Sequence, residues 1–122
     1  MNIQVSHHLL LCTATPKSSC CNQKQSIESW ESLKSILRKL NLEDPNRSAG
    51  IVMRSKVDCL RICNSGPILL IWPEGIWYQN VSPSRIEVII KSHIIEGIPI
   101  KEWIFKETPL KFPITRLMNN SC

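Results

Sequence analysis

The sequence predicts a single α/β domain laid out as a β-α-β unit followed by a β-β-α unit. Three observations carry that prediction. Apolar runs at residues 5–11 and 51–57 flank a stretch with helical periodicity. An unbroken apolar run at residues 68–72 leads into a Pro-Glu-Gly turn. A Ser-Pro pair at residues 82–83 then opens a second helical stripe. With 122 residues, the chain suits one core and buries roughly two-thirds of its unfolded surface without disulfide staples.

Taken in order, Val5 to Leu11 reads as a short buried strand ending at Cys12. A polar loop follows over Thr13 to Gln25, with Pro16, Ser18 and Ser19. Ser26 is the expected N-cap of a helix reaching Asn41. Within it Ile27, Trp30, Leu33, Leu37 and Leu40 recur at three- and four-residue steps, one apolar stripe. Asp44-Pro45-Asn46 and Gly50 mark the exit. Ile51 to Val57 is the second strand, with Ile51, Met53, Ser55 and Val57 on one face. An irregular cysteine segment closes at Gly66-Pro67, which shape the turn after it.

Ile68 to Trp72 is apolar throughout, as in a strand covered on both faces. Ile76 to Val81 returns as its hairpin partner. Ser82 caps the second helix, with Pro83 at its first position. Ile86, Ile89, Ile90, His93 and Ile94 form its buried stripe, and Gly97 ends it. Ile98 to Lys106 reads as a docked extension; the domain is drawn as residues 1–105 and residues 106–122 as a flexible tail. This order of elements is that of a thioredoxin-like sandwich.

Composition narrows the function. Apolar residues make up 43% and charged residues 20%, the balance of an ordinary water-soluble domain. No run approaches the roughly 20 apolar residues of a membrane span. Met1 to His8 lacks the basic start of a secretory signal. Six cysteines in such a chain are expected in a reducing compartment, the cytoplasm, where clustered cysteines mean metal or redox chemistry more often than disulfides. Nucleic-acid signatures and interleaved aromatics are missing, so a net charge of +5 does not imply nucleic acid.

Topology brings the cysteines together. A strand–helix–strand crossover makes the first two strands parallel, so the loops that follow them leave from the same carboxyl edge of the sheet. Ligand sites of α/β proteins are usually built there. Thiolates are soft ligands for iron–sulfur clusters or zinc, and a [2Fe–2S] cluster takes four. Cys12 with Cys20 or Cys21 is one expected pair, and Cys59 with Cys63 the other. Structural zinc favours two short C-x₂₋₄-C knuckles, and only Cys59 and Cys63 comply. A dithiol enzyme needs C-x-x-C, which does not occur. The rival reading is a thioredoxin-like zinc-binding or metal-free interaction module without a redox role.

Several stretches resemble one family. They are Leu9-Leu10-Leu11-Cys12, the Cys20-Cys21 loop, Cys59-Leu60-Arg61-Ile62-Cys63-Asn64-Ser65-Gly66-Pro67 and Pro73-Glu74-Gly75-Ile76-Trp77-Tyr78. Together they are similar to the thioredoxin-like [2Fe–2S] ferredoxins, a family that includes the cluster domain of the small flavoprotein-associated subunit of respiratory complex I. The likeness spans about residues 5–105. It implies a one-electron carrier, not an enzyme, with a cluster at the surface end of the sheet and a possible homodimer. Two adjacent cysteines compete for the second ligand position of the first loop, and Cys122 is not expected to ligate.

His7, His8 and His93 show no local ligand pattern and read as structural. Trp72, Trp77 and Tyr78 read as packing residues of the hairpin. Charge singles out the cysteine loops: residues 12–25 and 54–66 hold Lys17, Lys24, Arg54, Lys56 and Arg61 against Asp58 alone, four of the five net positive charges. Those five side chains are the expected docking surface for an acidic redox partner, a reductase or acceptor.

Overall fold

A computed structural model describes residues 3–13, 23–58 and 66–109. Apolar alternation sorts their strands into one mixed sheet. The strands are β1 (Val5–Cys12), β2 (Ile51–Val57), β3 (Leu69–Trp72), β4 (Ile76–Tyr78) and β5 (Ile104–Glu107). The helices are α1 (Gln23–Lys39), between β1 and β2, and α2 (Pro83–Ile89), after β4. Sheet order is β2-β1-β3-β4-β5. β1 and β2 run parallel, as the crossover requires, and the other pairings are antiparallel. Leu9, Leu11, Val52, Leu69, Ile71 and Tyr78 share one core with the stripes of both helices. Leu10, Cys12, Ile68, Leu70, Trp72 and Trp77 gather in a second cluster. Burying each large aliphatic side chain is worth about 1.5–3 kcal/mol, so the two faces of β1 and β3 dominate the stability of the sheet.

α1 differs from expectation at its start. It begins at Gln23, so Ser26 lies inside the helix, fully buried, and not at its cap. Ile27 is 51% exposed, and Ile36 fills the core instead. Buried Ser29 is satisfied by donating from Oγ to Val81 O at 2.6 Å. At the other end Asn41 takes φ +56°. Leu42 N donates to Leu37 O and Asn41 N to Arg38 O, the paired bonds that close a helix around a left-handed residue.

The second half follows its sequence signals more closely. Ser82 Oγ accepts from Arg85 N, Pro83 takes the first helical position, and the whole Ile86–Ile94 stripe is buried. After α2 the helix widens into a π-helical stretch, Ile90–Ile95, before Gly97. β4 ends at Tyr78, three residues short of the expected end. The docked extension is in part a fifth strand: a 3₁₀ turn at Lys101–Trp103 leads into β5 on the sheet edge. β5 runs two residues past the boundary drawn after residue 105, so Lys106 and Glu107 belong to the sheet and not to a tail. Leu110 to Cys122 lie outside the described residues.

The β3–β4 turn carries Glu74 and is fixed by Gly75. Gly75 sits at φ +70°, and a Cβ there would come within 2.3 Å of Thr108 O. Glycine alone fits that backbone and that gap. The turn places Glu74 between His7 of β1 and His93 of the π-helical stretch. Glu74 Oε2 is in close contact with His93 Nε2, and Oε1 lies 3.5 Å from His7 Nε2. His93 Nδ1 meets Tyr78 Oη at 2.8 Å, and that hydroxyl also accepts from Ile100 N at 3.0 Å. His8 faces away from this group, to Ser55 Oγ at 2.9 Å.

Burial above all, with His93 and Arg47 adding to it and Glu74 opposing, holds His7 below its ordinary 6.5. An unfolded chain therefore binds a proton that the native ring refuses. The contribution to stability is complete above pH 6.5 and is lost as pH falls through the lower native value. A chemical-shift titration should place His7 below 6.5. His7→Gln should shrink the drop in thermal midpoint between about pH 7 and about pH 5. A His7 midpoint at or above the ordinary value would contradict this reading.

Candidate functional site

The carboxyl end of β1 is built around Cys12. As the last residue of β1 it stands in register with Val57 of β2, and backbone bonds secure it on both sides. Cys12 N donates to Ile68 O at 2.9 Å and Thr13 N to Val57 O at 2.8 Å. Its side chain joins the Leu70–Trp77 cluster and is 1% exposed. The thiol donates to Asp58 O at 3.4 Å. Asp58 is the residue before Cys59, so a main-chain atom adjoining the second cysteine segment touches the first cysteine.

The other exits meet at the same end. Leu42, beyond the far end of α1, accepts from Val52 N near the start of β2. Trp30, in the first half of α1, lies near the end of β2, under Lys56 Nζ at 6.0 Å. α1 therefore runs back against the strands, and its first turn lies at the Cys12 end. Gly66-Pro67, where the chain rejoins β3, carries the carbonyl that accepts from Val81 N, and the Gly66–Pro67 bond is cis. Cys20 and Cys21 lie just ahead of α1, and Cys59 and Cys63 lie between β2 and β3. All four, with Lys17, Arg61 and Cys122, fall outside the described residues.

The structure sorts the remaining charges. Lys24 is exposed on the first turn of α1, and Lys56 is exposed at the end of β2. Arg54 is engaged inside the fold: Nε lies 3.0 Å from Glu43 Oε2, and the guanidinium stacks 5.3 Å from the Trp30 ring centre. The core-facing side of β2 is thus Val52 followed by the stems of Arg54 and Lys56. The Ile51–Met53–Ser55–Val57 face is the outer one, with Met53 exposed. Long cationic side chains lay their methylenes over an aromatic and keep their heads in water.

Among the described residues Cys12 is the one thiol at this end, a donor of the kind a thiolate-ligated cluster takes. Cys12 offers a soft donor on a rigid strand end, shielded from bulk water on the sheet side. Its thiol proton, now shared with Asp58 O, is the one it would release on ligation. Among the described residues, no helix is long and apolar enough to cross a membrane. Sequence reasoning missed one cluster of potential ligands, His7, Glu74 and His93, because its members are far apart in the chain and share no local motif.

The chain is similar to several known proteins. A [2Fe–2S] ferredoxin from Clostridium pasteurianum is 32% identical over 103 residues, which cover 81% of this chain and 95% of the ferredoxin. A [2Fe–2S] ferredoxin from Aquifex aeolicus (strain VF5) is 25% identical over 92 residues, covering 75% of this chain and 78% of the relative. The solved structure of a thioredoxin-like [2Fe–2S] ferredoxin from Aquifex aeolicus superimposes with a TM-score of 0.68 at 23% identity. That match covers 88% of this chain and 99% of the solved one. No protein-family model matches.

Proposed function

Because the chain belongs to the thioredoxin-like [2Fe–2S] ferredoxins, carriers of single electrons, we propose that its cluster is held by Cys12, by Cys20 or Cys21, and by Cys59 and Cys63. The observation that carries this reading is the contact of the Cys12 thiol with Asp58 O. It ties the end of β1 to the residue from which the second cysteine segment departs. The cluster supplies the redox chemistry. The chain's part is to set its potential through burial and hydrogen bonds to sulfur, and to present it to a partner. A reducing, cytoplasmic compartment and a homodimer belong to the same reading.

The docking partner is an acidic reductase or acceptor. Lys24 and Lys56 are exposed at the Cys12 end, and Lys17 and Arg61 lie in the two cysteine loops of the sequence. Arg54 supports this surface from within, through Trp30, and adds less charge because Glu43 faces it. Opposite charge raises association rates by about 10–10³. Salt weakens the effect, since the Debye length falls from about 10 Å at 0.1 M to about 3 Å at 1 M.

Stopped-flow electron transfer to an acidic redox protein, measured against ionic strength, tests this. The wild-type second-order rate should fall with salt. Lys17→Glu, Lys56→Glu and Arg61→Glu combined should slow it at low salt and leave the visible spectrum intact. A wild-type rate flat with salt, or a triple variant as fast as wild type, overturns the docking surface.

A further inference from the structure

His7 lies five residues before Cys12 on β1, about 16 Å away along an extended strand. The group around it is therefore separate from the cysteine end. Its hydrogen bonds can be assigned by direction. Ser6 Oγ donates its one proton to Ile51 O at 3.3 Å and accepts from Arg47 Nη1 at 3.0 Å. Toward His7 Nδ1, at 3.1 Å, that oxygen then accepts, which is the tautomer with the ring proton on Nδ1. In this tautomer Nε2 presents a bare lone pair. Across from it, at 3.5 Å, stands Glu74 Oε1, which also only accepts. In this tautomer two acceptors face each other with no proton between them, and a cation would relieve that repulsion.

We propose that His7, Glu74 and His93 form a zinc site, with the two Nε2 atoms and the Glu74 carboxylate as ligands and water in the fourth position. The three ligand atoms already lie within 4.8 Å of one another. Two imidazoles and a carboxylate are a donor set that zinc takes with one open position. Both rings are oriented through their other nitrogen, His7 by Ser6 and His93 by Tyr78, the support that metal-bound histidines usually have. Bonds of about 2.0–2.2 Å put tetrahedral ligands roughly 3.3 Å apart, so the atoms must adjust on binding.

Glu74 is the side chain that can move, being 33% exposed on a turn, while His93 is 2% exposed and fixed. Its carboxylate has to swing back from His93 as the metal enters, and the His93 proton then resides on Nδ1 against the Tyr78 oxygen. His93 reaches the site from a π-helical stretch, a local widening of the helix that often marks functional positions. A cleft of about 250 Å³ lined by Val5, Ser6, His7, His8, Trp72 and Pro73 opens beside the site. Arg47 is the positive group nearby, held by Ser6 Oγ and by Gly50 O at 2.7 Å. A metal here would tie together β1, the β3–β4 turn and the helix that follows.

The test uses iron-loaded protein dialysed against limiting zinc, with zinc and iron counted per chain by elemental analysis. Wild type should hold one zinc per chain that His7→Gln and Glu74→Gln each bind more than about tenfold more weakly. Tyr78→Phe, which removes the support of His93 and the acceptor of Ile100 N while leaving all three ligands, should weaken it about tenfold. Iron content and visible spectrum should not change in any of the three. In wild type, zinc should shift the imidazole nitrogen resonances of His7 and His93 and spare those of His8. Zinc bound equally by wild type and both ligand variants, as cysteine binding would give, overturns the site. So do histidine resonances that do not move.

Discussion

Holoprotein carrying Cys12→Ala, Cys59→Ala or Cys63→Ala should lose nearly all of its visible absorption and its iron. Each change removes one of the four proposed thiolate ligands outright and leaves a methyl group, which cannot ligate. Cys12→Ala is the most informative of the three. The side chain is small, almost fully buried and set in a regular strand, so alanine keeps the backbone bonds to Ile68 and Val57. Loss of the cluster there reports ligation and not collapse of the fold, which far-ultraviolet circular dichroism would check. Removing both Cys20 and Cys21 should have the same effect, with one of the two single variants matching it. Cys122→Ala should be silent. Full iron and an unchanged spectrum in both Cys59→Ala and Cys63→Ala would refute the ligand set.

Much of this was legible because the chain announces its elements by period. β1, β3 and α2 with its cap follow directly from apolar runs and from Ser82-Pro83. β5 was not legible as a strand, because Ile104–Glu107 is short and follows a proline-containing segment. What makes it a strand is antiparallel pairing with β4, and an edge partner leaves no mark on composition. Which face of β2 turns inward was not legible for a different reason. Counting apolar letters favours Ile51, Met53 and Val57, whereas the core uses Val52 and the stems of two cations over Trp30. Ile27 was placed inward because the true start of α1 at Gln23 was hidden in a polar loop, and Ser29 takes the inward position through its bond to Val81 O. At the site, topology alone pointed to the carboxyl end of β1, where Cys12 meets Asp58 O, while the cysteine segments themselves lie outside the described residues. The His7–Glu74–His93 group could not be foretold, since 86 residues separate the two histidines and only the folded sheet brings them together.

Trp30→Ala should cost about 3–5 kcal/mol of stability, the range for truncating a large buried aromatic. Trp30 is 9% exposed and packs in the core shared by α1 and the sheet. It is also the surface on which Arg54 and Lys56 rest, at 5.3 and 6.0 Å from the ring centre. Each such stacking adds roughly 0.5–1 kcal/mol at a partly exposed site, so the loss of packing dominates. Against a total stability of about 5–15 kcal/mol, the variant gives up a large share, and its thermal midpoint should fall on the order of 10–20 °C. Trp30→Phe retains much of the buried area and an aromatic face, and should fall by clearly less. The two variants separate core packing from cation stacking. If stacking dominated, Arg54→Met with Lys56→Met would destabilise as much as Trp30→Ala; if packing dominates, the double variant stays near wild type. A Trp30→Ala midpoint within a few degrees of wild type would mean that α1 does not depend on this side chain to hold the end of β2. Lys56 would then have to be positioned beside the cysteine end by something other than the ring beneath it.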